Sequence, residues 1–276
     1  MGPYLSIDET ALSKGELYTI ITNKKAKGKK GSIVAIFSGT KVEPIIEQLM
    51  KISDKKRARV KEITLDMANS MKTIAKKCFP KAVQVTDRFH VQKLALEALQ
   101  DIRIKHRWDA IDLENEQIKR AKEKNRTFVP KEFGNGDTRK QLLARSRYLL
   151  YKSPNNWTRN QSERSRILFD QYPDIKTAFD LVQGLRNIFN TANSIQTAYT
   201  KLAHWYKAVE NTGFRAFNTI ANTISLNYRS ILNYFINRST NASAESFNAK
   251  IKAFRAQFRG VRNTEFFLFR LTQLFA

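Results

Sequence analysis

The sequence predicts an α/β fold: a mixed five-stranded sheet with helices packed on it, interrupted by a large all-α insertion. Three observations predict it. Short apolar runs bounded by turn-forming residues recur five times within the first ninety residues. Amphipathic helical periodicity separates the later ones, and from Phe89 to about Arg238 the patterning is almost wholly helical. The expected layout is a first core part over 1–100, a helical insertion over 101–238 and final core helices over 239–276.

The elements follow in order. Tyr4 to Asp8, Leu17 to Asn23 and Ser32 to Phe37 read as strands in hairpin order. The link KKAKGKKG, with Lys24, Lys25, Lys27, Lys29 and Lys30 around Gly28, reads as a loop too charged to be buried. Residues 42–59 carry helix periodicity through Val42, Ile45, Ile46, Leu49 and Ile52. A fourth strand then ends at Asp66, and a helix over Ala68 to Phe79 is stopped by Pro80. Ala82 to Thr86 is the fifth strand. Within the helical stretch, breaks are expected near Phe128–Gly136, Ser153–Asn156 and Tyr172–Pro173, and no repeat period is apparent.

Composition narrows the function. Hydrophobic residues make up 42% of the chain, 18 of them Phe, so a packed globule is expected rather than a disordered tail. No run is long and apolar enough for a membrane span, and no secretory signal is recognisable. Met1-Gly2-Pro3 leads straight into the first strand, as expected of a domain cut from a longer chain. The lone Cys78 excludes an intramolecular disulfide and a thiolate zinc knuckle, and fits a reducing, intracellular setting. Lys and Arg number 49 against 25 Asp and Glu, a formal net charge of +24. Such an excess favours nucleic acid, through phosphate contacts and counterion release, over a neutral partner.

Three acidic residues in different settings carry the chemistry: Asp8, Asp66 and Glu245. The first two close apolar strands, and the third opens a long amphipathic helix. Carboxylates on strand ends and one helix can converge at a single sheet edge. A set of hard oxygen donors without Cys or His suits Mg2+ or Mn2+, and phosphodiester cleavage by the two-metal route needs such carboxylates around two ions. Each residue also has an ordinary role open to it. Asp8 could cap a turn, with Glu9 beside it as the ligand instead, and Asp66 could cap the following helix. Asp87 competes with Asp66 for the second place, while His90 and Asn248 stand near enough in sequence to support the site.

In the helix after Asn241, Phe247, Ile251, Phe254 and Phe258 form an apolar stripe, with Glu245, Asn248, Lys252, Arg255 and Arg259 assigned to the opposite face. Lys252 lies nearly two turns after Glu245 and shares its azimuth, so this face is suited to tracking phosphates. The insertion holds a second basic run, residues 139–166, with Arg145, Arg147 and Lys152 as candidate DNA contacts. Tyr148, Tyr151 and Trp157 lie among the cations, an arrangement that either stacks bases or fills a core.

These residues carry a resemblance. SIDET, the LDM of LDMANSM, VTDRFHVQKL and NASAESFNAKIKAFRAQFRGVRN resemble the catalytic core of bacterial insertion-sequence transposases of the DDE type, specifically the ISL3 group. The resemblance implies a ribonuclease-H-like fold, Asp8, Asp66 and Glu245 as the acidic triad, and a cation seven residues after the Glu, matched by Lys252. It also implies transposon ends and target DNA as partners, a homodimer or higher assembly on DNA, and a cytoplasmic, nucleoid-associated place in a bacterium. Members normally carry an N-terminal zinc-binding and helix-turn-helix region, which this sequence does not include. The expected function is metal-dependent strand cleavage and strand transfer. The alternatives are a non-catalytic DNA-binding protein derived from a transposase and a structure-specific nuclease of the same fold.

Overall fold

The computed structural model describes every residue except 13, 14, 259, 261 and 262. By internal contacts the chain divides into two compact units, Met1–His90 with Ile224–Ala276, and Val91–Thr223. The boundaries at 90/91 and 223/224 differ from the expected 100/101 and 238/239. The helix that leaves the last strand runs without a break from Arg88, and the residues after Ile224 already pack on the sheet.

The first unit is built on strands β1 (Tyr4–Ala11), β2 (Leu17–Asn23), β3 (Ile33–Ser38), β4 (Glu62–Leu65) and β5 (Val83–Thr86), in the order β3-β2-β1-β4-β5. The first three pair antiparallel, and β1–β4 and β4–β5 pair parallel. This is the mixed α/β sheet of a ribonuclease-H-like fold. The parallel pairings need crossovers, supplied by α1 (Val42–Met50), α2 (Asp54–Arg57) and α3 (Asn69–Cys78). The helix expected over 42–59 is therefore two helices. Arg57 stabilises the break by donating from Nε to the Ile52 carbonyl and from Nη1 to the Cys78 carbonyl, at 2.9 and 2.8 Å.

Period-two alternation sorts β1 between the two faces of the sheet. Leu5 and Ile7 face one core with Ile63 and Leu65, covered by Ile45 and Leu49 of α1 and Met71, Ile74 and Cys78 of α3. Asp8 pairs with Ile20, which belongs to the opposite core. That core is closed by Phe247 and Ile251 of α13 (Ala242–Gln257) and by Phe267 and Leu271 of α14 (Thr264–Phe275). Side chains of this size contribute about 1.5–3 kcal/mol each when buried, which fixes α13 against the sheet.

Between β2 and β3 a 3₁₀ turn over Lys24–Ala26 corrects the reading of a wholly solvated loop. Lys24 turns inward, donating to Thr64 Oγ1 at 2.6 Å and approaching the buried Glu62 at 3.6 Å. Glu62 also accepts from Asn237 at 3.1 Å. A buried carboxylate on a central strand requires such partners. Gly28 (φ +72°) is needed where the loop meets α13: a Cβ there would stand 3.0 Å from Lys250 Nζ and 3.5 Å from Phe247.

The chain enters the second unit within the first turn of α4 (Arg88–Glu123). It continues through α5 (Arg139–Arg145), α6 (Arg147–Leu150), α7 (Arg159–Gln171), α8 (Pro173–Thr191) and α9 (Ile195–Thr212). Thr138 and Thr158 open α5 and α7 with capping boxes, and Pro173 at the first turn starts α8. Helix α10 (Arg215–Leu226) leads back to the first unit, where α11 (Tyr228–Leu232) and α12 (Tyr234–Asn237) precede α13.

Candidate active site

Asp8 and Asp66 occupy matching places on adjacent parallel strands. Ser6 pairs with Thr64, and each acid stands two residues further on. Asp66 directly follows β4, at the carboxyl edge of the strands, where open α/β sheets bind their ligands. Asp8 Oδ1 accepts from the Glu9 N–H at 2.9 Å, and its Oδ2 accepts from Asn248 Nδ2 at 2.6 Å. That last bond ties α13 to β1 one turn from Glu245.

Asp8 is the most perturbed acid of the group. Burial pushes its pKa up to about 6, against the pull of the Glu9 N–H and His90, and the charges of Asp66 and Glu245 push in the same direction as burial. Glu9 is also raised, by burial and by the fields of Asp66 and Asp8, so it remains a neighbour of the pair. Asp66 does not cap α3, whose N-cap is Ala68; its Oδ1 accepts from the Ala68 N–H at 2.7 Å in an Asx turn just ahead of the helix. Glu245 is exposed in the first turn of α13.

Asp87 directly follows β5 and is wholly buried. Its N–H donates to the Leu65 carbonyl at 2.9 Å, and its Oδ2 stands 3.5 Å from His90 Nδ1. Closeness to Asp87 raises the His90 pKa against the lowering effect of burial, and Asp66 and Asp8 add to the rise. His90 thus places a proton-binding ring among Asp8, Asp66 and Asp87. Asp87 Oδ2 and Asn248 Oδ1 are buried and make no hydrogen bond.

The donor chemistry fits a hard divalent ion, because Mg2+ is commonly held by one or two carboxylates with water and substrate phosphate completing its shell. Asp8 and Asp66 supply such a pair. Among the described residues, no three His, Cys, Asp or Glu side chains are grouped closely enough to hold a metal ion by themselves.

The basic residues fall into different settings. Lys252 is exposed on α13, whereas the Arg255 guanidinium lies 4.9 Å from the centre of the Phe267 ring. Asn248 is buried rather than on an outer polar face, because it reaches Asp8. Arg259 lies outside the described residues. In the second unit Arg145 bonds to the buried Asp137, which also accepts from Arg164 at 2.7 Å. Arg147 is exposed with its guanidinium 5.5 Å from the Tyr148 ring centre, and Tyr148 is 68% exposed. Lys152 donates to Gln161 at 3.2 Å. Trp157 belongs to a core, donating to the Leu149 carbonyl at 2.8 Å and packing on Phe179 and Phe169.

Sequence reasoning missed Lys24 and Lys72. Lys72 lies in α3 within electrostatic reach of Asp66 and donates to Asn227. Its only sequence signal is a cation in the first turn of the helix that follows Asp66.

A family model described as transposase, the ISL3 group of the DDE class, matches residues 5–271. The chain is 24% identical over 276 residues to the transposase for insertion sequence element IS1001 of Bordetella parapertussis, covering 99% of this chain and 61% of that protein. It is 27% identical over 135 residues to the transposase for insertion sequence element IS1557 of Mycobacterium tuberculosis, covering 48% of this chain and 30% of the relative. The chain therefore spans less than two thirds of the length of these relatives. With the family match running through both units, from the first strand to the last helix, the chain belongs to the ISL3 family of transposases.

Proposed function

We propose that this chain carries out the metal-dependent DNA strand cleavage and strand transfer of a DDE transposase, with Asp8, Asp66 and Glu245 as its metal-holding carboxylates. The observation that carries this reading is the register of β1 and β4, which sets Asp8 and Asp66 each two residues beyond the Ser6–Thr64 pair, with the charges of Asp66 and Glu245 both felt at Asp8. A divalent cation between carboxylates so placed would offset both their burial and their repulsion. Two bound Mg2+ or Mn2+ ions would supply positive charge at the phosphate and lower the pKa of an attacking water or 3′-hydroxyl.

The chain's own residues do the rest. Asn248 holds the Asp8 carboxylate in orientation through its amide. His90, paired with Asp87, adds a proton-binding group beside Asp8 and Asp66. Lys252, about 10 Å along the helix axis from Glu245 at 1.5 Å per residue, meets the adjoining phosphate rather than the same ions. Arg255, Arg259, Arg147 and Lys152 supply further positive charge for DNA, whereas Arg145, expected among them from the sequence, is taken up by Asp137. The partners are transposon ends and target DNA, the working form is a homodimer or higher, and the setting is the bacterial cytoplasm, on the nucleoid.

A second reading, a non-catalytic DNA-binding protein, is favoured by one observation: the lack of a preformed three-ligand group among the described residues. Nicking of supercoiled plasmid separates the two. The expected result is cleavage with Mg2+ or Mn2+, none with chelator, and none with Asp66→Asn or Glu245→Ala, while both variants still bind DNA. Binding without metal-dependent nicking in the wild type would establish the second reading, and hydrolysis without joining to a target would identify a nuclease.

A further inference from the structure

Beside the acidic edge lies a pocket of about 350 Å3 lined by Lys72, Asn227, Tyr228, Arg229, Ser230 and Leu226. Its volume falls at the small end of the range for ligand sites, about 300–1,000 Å3. All six residues belong to the first unit. Two contacts place the pocket at the carboxyl edge of the sheet. Ser230 Oγ stands 2.7 Å from Thr86 Oγ1, the last residue of β5, and Lys72 feels the charge of Asp66, which directly follows β4.

The lining is unusual for a surface. Leu226 is 87% exposed and Tyr228 is 40% exposed, two large apolar groups next to two cations. Arg229 braces the tyrosine: its Nε donates to Tyr228 Oη at 3.0 Å and its guanidinium stands 5.8 Å from the ring centre. Lys72 is partly buried and anchored by its bond to Asn227. An aromatic ring held in place beside an anchored ammonium matches the two faces of a nucleotide, a flat base and an anionic phosphate.

We propose that the Lys72–Tyr228 pocket receives one unpaired deoxynucleotide of the DNA strand that passes the acidic edge, its base stacked on Tyr228 and its phosphate on Lys72. The assignment rests on DNA being the substrate of this chain. It adds a place for an unstacked base next to the strand ends, so that a strand is gripped by one nucleotide as well as along its backbone. Arg229 restricts the ring, which lowers the ordering cost of stacking.

The test measures binding in chelator, so that it is independent of any catalysis. The probes are a duplex with a short single-stranded tail carrying 2-aminopurine and the same duplex with blunt ends. Tyr228→Ala should weaken binding of the tailed duplex by about 5- to 150-fold, the cost of one lost base stack, and leave the blunt duplex unchanged. Tyr228→Phe, which keeps the ring but loses its bond to Arg229, should weaken the tailed duplex less than Tyr228→Ala does and leave the blunt duplex unchanged. Lys72→Ala should flatten the slope of log affinity against log salt for the tail by about 0.7. In the wild type, 2-aminopurine fluorescence should change at one tail position and be nearly constant at the others. Equal affinity of Tyr228→Ala and wild type for the tailed probe would overturn the proposal, as would equal losses on both probes. An unresponsive 2-aminopurine series in the wild type would overturn it even if the alanine variant fails to fold. Absence of metal-dependent nicking, by contrast, would count against the catalytic reading and leave the binding result standing.

Discussion

At Asp8 a single carboxylate links folding to the proposed chemistry. Its pKa rises from 3.8 to about 6, chiefly through burial. A carboxyl that holds its proton more tightly in the folded state stabilises the fold while protonated. That advantage is complete below the unfolded value and is lost as pH climbs through the folded one. The wild type should therefore lose stability relative to Asp8→Asn between about pH 4 and 6, by at most about 3 kcal/mol at 1.36 kcal/mol per unit. Above that window Mn2+ should raise the melting temperature of the wild type by mass action and leave the variant unmoved. Melting curves across the window, in chelator and then in Mn2+, check both halves. Parallel pH curves for the two proteins would mean that Asp8 is solvated and ordinary. Asp8 and Asp66 were legible in the sequence because both directly follow short apolar runs, although β1 does not end at Asp8 as expected but continues, paired with β2, to Ala11. The Asn248–Asp8 bond was not, because its partners lie 240 residues apart and no local pattern encodes them.

At the scale of the element, α13 decides whether Glu245 belongs to the active edge. Its apolar stripe was readable from spacing, and Phe247 and Ile251 are buried as that spacing requires. The full stripe was not, since Phe254 and Phe258 are only partly buried and Asn248 turns inward. Periodicity gives an azimuth to within a residue, and a polar side chain at the margin of the stripe goes inward when a buried acceptor awaits it. The loop before β3 illustrates the same limit: its charge was read correctly as polar, but Glu62 on β4 recruits Lys24 from it. Three substitutions on α13 should accordingly separate. Phe247→Ala should cost about 3–5 kcal/mol of stability, as a large buried aromatic. Lys252→Ala should melt like the wild type and bind DNA more weakly. Glu245→Ala should keep most DNA affinity and lose the metal response. If Lys252→Ala melts as low as Phe247→Ala, the exposed face has been misassigned and Glu245 no longer points to the edge.

For the molecule as a whole, a net charge of +24 means that phosphate contacts would dominate the proposed DNA binding, without saying which cations make them. The basic run of the second unit shows how burial sorts them. Burial pushes the Asp137 pKa up, but the bonds from Arg164 and Arg145 outweigh it and hold the carboxylate below its ordinary range. Arg145 is committed to that partner, whereas Arg147 stands exposed over Tyr148. Composition could not tell these two arginines apart, because the difference lies in where Asp137 folds. Their substitutions should diverge. Arg147→Gln should leave the melting temperature unchanged and flatten the slope of log DNA affinity against log salt by about 0.9 on duplex. Arg145→Gln should cost about 1 kcal/mol of stability, the screened value for a half-exposed cation whose partner keeps Arg164. A depressed carboxylate pKa contributes stability above the unfolded value and loses it as pH falls, so the Arg145→Gln deficit should be full at pH 7 and shrink below about pH 4. Titrating DNA at several salt concentrations, together with melting at pH 3.5 and 7, reads both effects on the same two proteins. A flattened salt slope in Arg145→Gln with no loss of stability would reverse the roles, making Arg145 the phosphate contact and leaving Arg164 to hold Asp137 alone.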